Sequence, residues 1–376
     1  MNFRKFIPLT ALLLFSCLGN SGNIPDPNEV IASPEAIIVN SLSETLSSVY
    51  GDNPRTIANN LLDASGNLLN TGSAPNQILL KNGLAYIVNS RSINLQVIDL
   101  EHLVTKTEIS LGSGQNPYFM TFYGEDKIYI SELLGSDGNG NVSVITINPD
   151  ETYSLTNSID MPEGADLEPF SSEPSFAKPQ GITASNSKIY VTLTNLAGWA
   201  PGGPGFVIVI DPKTDSIIKK IKTSGLNPSY AYSTEFQPDL VYILHSGTFS
   251  GDGLVDVIDT KKDEIIATIN TGGAPYSVTV TKNQMAYVTD ALAPHLFKFD
   301  AATFQLLNGS DNPIPVVDPD KNPFNFISFI DVSKEGSLFA LAFNSDELYI
   351  LDSGSGEIKE GPYLVGDGPI AMVVDK

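Results

Sequence analysis

Polar and apolar positions alternate along this chain in short runs. AYIVN, IYISE, IYVTL, VYILH, AYVTD and LFALA each carry an aromatic residue near the start. A second kind of run follows each of them and usually ends in aspartate: LQVID, VSVIT, FVIVID, VDVID, LFKFD and LYILD. Glycine, proline, asparagine and aspartate fill the gaps. Short alternating stretches bounded by turn formers predict β-strands, not helices.

A third phrase precedes each pair of runs, and its recurrence is the main feature of the sequence. It reads GSAPNQI, GQNPYFM, FAKPQGI, GLNPSYA, GGAPYSV, DKNPFNF and GDGPIAM, with prolines at Pro75, Pro117, Pro179, Pro228, Pro275, Pro323 and Pro369. A fourth apolar run such as KTEISL, SIIKKI or EIIATI closes each unit. Four antiparallel strands repeated around an axis make a β-propeller blade, and stacking in a ring buries faces that one blade would leave open. The last phrase reaches Lys376 after a single strand, and the segment from Ile37 to Asn40 supplies the second strand it lacks. The fold expected is an all-β, seven-bladed propeller, its last blade closed by one C-terminal and three N-terminal strands. The pattern between Leu42 and Leu69 assigns no register.

These phrases resemble the YVTN-type seven-bladed propellers, a family of exported bacterial proteins, over residues 36–376. The resemblance implies the fold. It implies roles in binding or at the cell surface more often than a defined enzymatic activity.

The first residues carry a different message. MNFRK is basic, FIPLTALLLF is too short to span a membrane as a mature helix, and LFSC ends in Cys17. This resembles a bacterial lipoprotein signal whose cysteine is lipidated. Phe15 departs from the usual small or aliphatic residue, a looseness similar to that of spirochaete lipoproteins. The alternative is an ordinary secretory signal. The division expected is a signal over residues 1–17, a tether over 18–35 and the propeller over 36–376. Cys17 is the only cysteine, so no disulfide supports the fold. Leu18, rather than aspartate, follows it and by analogy favours an outer-membrane location with surface exposure.

Lysine and arginine total 21 against 43 acidic residues, a net charge of −22. Such a surface repels phosphate backbones and argues against nucleic-acid binding. Solubility is the plainer explanation of the charge. The remaining expectations are a monomer, no cofactor, and a membrane contact through the lipid alone.

Function belongs where the repeat is interrupted. Strand order puts the second-to-third loop and the blade-to-blade connection on one face. The long second-to-third loops fall in blades two, three and four: LLGSDGNGN, LTNLAGWAPGGPG and HSGTFSGDG. The longest connection, MPEGADLEPFSSEPSFAKP, joins blades two and three on that same face. Long loops on a rigid scaffold are common binding places, although surface loops also drift at little cost.

Within this sector, Trp199 is the only tryptophan and a candidate contact anchor. The residue after each proline points to the channel mouth, which nominates Tyr118 and Tyr276. At the exit of the second strand, Glu132, His245 and Asp290 replace the expected asparagine, and they are candidates for ligand binding or acid–base work. Polar substitution at a solvated strand end is the plainer reading of all three. SDGNGN offers Asp137, Asn139 and Asn141 as oxygen donors for calcium, but Val142 and Asn148 stand where a calcium loop needs glycine and glutamate. Asp99, Asp211, Asp259, Asp300 and Asp352 end third strands, where aspartate caps its own turn. No zinc-type spacing, phosphate loop, haem motif or nucleophile elbow is present. The leading expectation is a non-enzymatic envelope lipoprotein that binds a protein or other extracellular ligand on the long-loop face. The alternative is a lactonase-like hydrolase working at the channel mouth.

Overall fold

The computed structural model describes residues 34–51, 54–63, 65–134, 138–318 and 324–375. Seven antiparallel sheets follow one another along the chain, each a blade in which sequence neighbours pair. Blade one holds Pro75–Lys81, Leu84–Asn89, Asn94–Asp99 and Val104–Ser110, and the next five repeat this order. In the seventh, Pro369–Val374 pairs with Ala36–Asn40, which is followed outward by Thr45–Tyr50 and Thr56–Ala58. The closure expected from the pattern is therefore present, and the strands between Leu42 and Leu69 are now placed. Cys17, the signal and nearly all of the proposed tether lie outside the described residues.

The core is not one mass but seven slabs, one between each pair of adjacent blades. The recurring second-strand aromatic explains this arrangement. Tyr129, Tyr190, Tyr242, Tyr287 and Phe339 are fully enclosed, and each contributes to the slab shared with the following blade. Burial of such a side chain stabilises by roughly 1.5–3 kcal/mol.

Several of these tyrosines also reach across with their hydroxyls. Tyr190 donates to Asp263 at 2.5 Å, in the outer turn of blade four. Lys188 binds the same carboxylate at 2.7 Å and the Thr260 carbonyl at 2.9 Å. Blade two grips blade three identically, with Tyr129 and Lys127 on Asp215 and the Pro212 carbonyl. Burial first, then the facing carboxylate, push both phenols well above their ordinary range. They remain neutral donors at any physiological pH.

The aspartates that end the third strands cap their own turns, as expected. Asp300 accepts from the Ala302 and Thr303 amides at 2.8 and 2.9 Å, and Asp352 does the same for Gly354 and Ser355. They are turn formers and not a catalytic ring.

One expected register is corrected. In every blade the innermost strand carries one extra residue, a β-bulge just after the ladder pair that faces the second-strand exit. Proline holds the position opposite the second-strand exit in six blades, as in Pro75 opposite Asn89. In blade six Ile327 holds it, opposite Ala342. Pro323 falls outside the described residues, and DKNPFNF is a look-alike displaced by four positions. A first-strand residue can lack an N–H, so proline is permitted at this position and not required.

Candidate functional site

The second and fourth strands run towards one face, here called the loop face. The other carries only the short first-to-second and third-to-fourth connections and is the turn face. On the loop face the insertions of blades two and three are knitted together. The first hairpin of blade three, Phe176–Ser185 with Lys188–Ala197, overshoots the blade and gains a third short strand, Ala200–Pro201. Gly198, at φ +63°, opens the two-residue turn between Ala197 and Ala200, a backbone position that suits glycine. Trp199 is the other turn residue, and it is 100% exposed.

The connection from blade two braces this tongue. The Asn195 amide donates to the Leu167 carbonyl at 2.5 Å, and the Phe170 N–H donates to the Gly202 carbonyl at 2.7 Å. Leu167 is enclosed in the slab between blades two and three. The blade-two loop joins through Gly140, whose N–H donates to the Ala177 carbonyl at 2.7 Å. Asn139 accepts from the Ala177 N–H at 2.9 Å. These loops are packed against one another, as freely drifting insertions would not be.

In blade four, Thr248 donates its N–H to Asp252 at 2.8 Å, pinching the loop. Phe249 sits between them with φ +57°, a conformation that costs a bulky residue energy, and it is 55% exposed. Trp199, Phe249 and the exposed Phe170 therefore stand on ordered backbone in one sector.

The nominated exit residues do something else. Glu132 and His245 are wholly enclosed and Asp290 is 2% exposed, so the solvated strand end does not hold for them. Each serves its own blade. The Asp290 carboxylate accepts from the Ala274 N–H at 2.9 Å and lies 2.8 Å from His295. His245 lies 3.1 Å from Asp256, which accepts from the Ser224 N–H at 2.8 Å. Burial works to raise Asp256, but His245, Thr268 and that amide outweigh it and hold the carboxylate below its ordinary value. Among the described residues no cation pairs with Glu132, and burial pushes it up to about 7 against hydrogen bonds from Ser143 and Asn141. The same layer in blade one has Gln96 accepting from the Gly72 N–H at 2.9 Å beside Asn89. The chain folds the blade connection over each exit residue. His245 and Asp290 lie against their connections and Glu132 against the third strand of its own blade, so the three stand in separate blades.

The glycine of the repeated phrase follows from this layer. A Cβ on Gly72, Gly225 or Gly366 would stand 2.4–2.9 Å from the side chain of Asn89, His245 or Asn40 beneath it. That spacing was the available sequence signal for burial of the exit residue.

Tyr118 and Tyr276 come together, a pairing that the repeated phrase did not reveal. They follow the prolines of blades two and five, and their hydroxyls hydrogen-bond across the channel mouth. Phe119 packs edge-on against Tyr230 at 5.4 Å, and Tyr276 against Phe326 at 6.1 Å. Tyr118 itself and then burial raise Tyr276 well above its ordinary range. The mouth is bridged by neutral phenols.

Asp137 lies outside the described residues. Asn141 donates to Ser158 at 2.7 Å, so both described asparagines of the calcium-like phrase are engaged in the scaffold. Among the described residues no group of three metal-ligating side chains comes together. A shallow depression of about 300 Å³ on the turn face is lined by Ser185, Ser233, Thr234 and Glu235, with no base–nucleophile pair.

Neither a family model nor a curated protein sequence matches the chain. Solved structures do. A functionally unknown protein from Desulfotomaculum acetoxidans is 13% identical over 91% of this chain and 99% of its own, with a TM-score of 0.63. The Dos1 propeller is 12% identical over 90% and 86%, with a TM-score of 0.59. Hydrazine synthase of Kuenenia stuttgartiensis is 15% identical over 79% and 88%, with a TM-score of 0.60. At these identities the likeness is one of fold: the chain is a seven-bladed β-propeller.

Proposed function

We propose that this protein is an exported, lipid-anchored propeller that holds a protein ligand on its loop face, over blades two to four, without chemistry. The observation that carries this reading is Trp199, fully exposed at the tip of a braced three-stranded tongue. An exposed tryptophan is costly to leave in water and is the residue type most often central to an interface. Phe170 and Phe249, exposed on the same face, are further apolar contacts. The bridged mouth supports contact across the rim, with Tyr118 and Tyr276 forming its floor. The YVTN-type phrases and the signal ending at Cys17 support export and anchoring. The chain enters the propeller at Glu35, before a strand running from turn face to loop face. A lipid on Cys17 would thus attach on the turn-face side, leaving the loop face outward.

The hydrolase reading has less support, since Asp290 and the Asp256 beside His245 hold their blade connections, while Glu132 is engaged with the third strand of its own blade. The test is retrieval of bound protein from intact cells with the full-length chain. Trp199→Ala with Phe249→Ala should lose the captured protein, while Phe236→Ala, an exposed aromatic on the turn face, should keep it. Equal capture by all three proteins would refute the assignment.

A further inference from the structure

The loop-face sector has a second property besides its aromatics. The connection that braces the tongue exposes Asp160, Glu163, Asp166 and Glu173, none of which forms an ion pair among the described residues. The nearest cations on the same sheet are already spent. Lys222 pairs with Glu168 at 2.7 Å, and Lys220 donates to the Asp166 carbonyl while its ammonium lies 4.5 Å from the Phe206 ring. Lys178 is nearly enclosed and donates to the Gly138 carbonyl. The exposed aromatics therefore share their sector with carboxylates that no cation pairs among the described residues.

Resting on the proposed binding face, we infer that its partner is a protein segment in which lysine or arginine alternates with aliphatic or aromatic residues. Two terms favour such an occupant over others. Its apolar side chains cover Phe170, Trp199 and Phe249. Its cations meet both the free carboxylates and the ring faces, each cation over a ring adding roughly 0.5–1 kcal/mol at exposed sites. Anionic lipid and nucleic acid are repelled by the same carboxylates. A second copy of this chain brings its own charge of −22 to the contact and is disfavoured by it.

Trp199 makes the test direct, because it is the only tryptophan and its emission reads this site alone. Three synthetic peptides of equal length and apolar content serve as probes, with lysine, glutamate or serine at the polar positions. The lysine peptide should shift Trp199 emission to the blue and bind about tenfold more tightly than the serine peptide. That advantage should fade as added salt shortens the screening length. Glu163→Gln with Asp166→Asn and Glu173→Gln should bring the lysine peptide to the affinity of the serine peptide without changing the unfolding temperature. Equal shifts from all three peptides overturn the charge inference and leave the binding face standing. A silent Trp199 also overturns it, and the capture experiment with the alanine variants then decides the face separately. Tight lysine-peptide binding that ignores the triple substitution overturns it as well.

Discussion

The two faces of the propeller end the same seven sheets, yet they differ in what they expose. On the turn face, connections are short, aspartates cap them, and the tyrosine and lysine of the preceding blade grip them. Among the described residues, its turns show one exposed large apolar side chain, Phe236, at 39%. The loop face exposes Leu42, Leu134, Phe170, Trp199, Phe249 and Phe324. Identical sheets thus end in a closed, polar surface on one side and an apolar, acidic one on the other. Repetition preserves what packing demands, and departures from it collect where packing makes no demand.

This contrast predicts that substitutions beneath or within the scaffold cost stability, whereas those at the loop tips cost binding only. The largest expected effect is His245→Ala, which empties an enclosed site and leaves the buried Asp256 carboxylate without the imidazole 3.1 Å away. Denaturant unfolding should show a loss of about 3–5 kcal/mol. Next comes acidity. Glu132 has a folded-state pKa near 7, above its ordinary value of 4.5, so the folded protein holds that proton more tightly than the unfolded chain does. Stability should be highest below the ordinary value, fall as pH rises towards 7, and level off above it. The loss is about 3 kcal/mol at roughly 1.4 kcal/mol per unit. Glu132→Gln should flatten this slope in urea melts at several pH values. The capping aspartates Asp300 and Asp352 tilt the other way, being held below their ordinary range, so their contribution vanishes only on strong acidification.

Smaller still is Tyr190→Phe, which removes one hydrogen bond to Asp263 while Lys188 keeps the carboxylate paired. A loss of about 1 kcal/mol is expected from the shift of the unfolding midpoint. At the bottom of the scale, Trp199→Ala should change stability by less than about 0.5 kcal/mol. A stability loss there as large as at His245 would erase the distinction between the faces.

Much of the scaffold was legible in the sequence because each blade repeats the same demands. The aromatic of the second strand must fill an inter-blade slab, and the aspartate must cap a turn, so both recur at fixed spacing. The split closure of blade seven followed from counting strands. Two readings needed the structure. Pro323 mimicked the repeated phrase, but the ladder position falls on Ile327, since only strand pairing fixes the register. Glu132, His245 and Asp290 looked like solvated strand ends, because a linear pattern does not show that the connection folds back over them. The glycine three residues before the proline in blades one, four and seven encoded that fold-back. The tongue under Trp199 was legible as an insertion, while its bracing depends on pairings between residues more than 25 positions apart, such as Asn195 with Leu167.

The central claim is that the loop face over blades two to four meets a protein partner and the turn face does not. Photo-crosslinking side chains placed in intact cells at positions 199 and 236, one on each face, test it most directly. The account predicts a discrete protein adduct from position 199 and none from position 236. Adducts from position 236 alone, or equally from both, would contradict it.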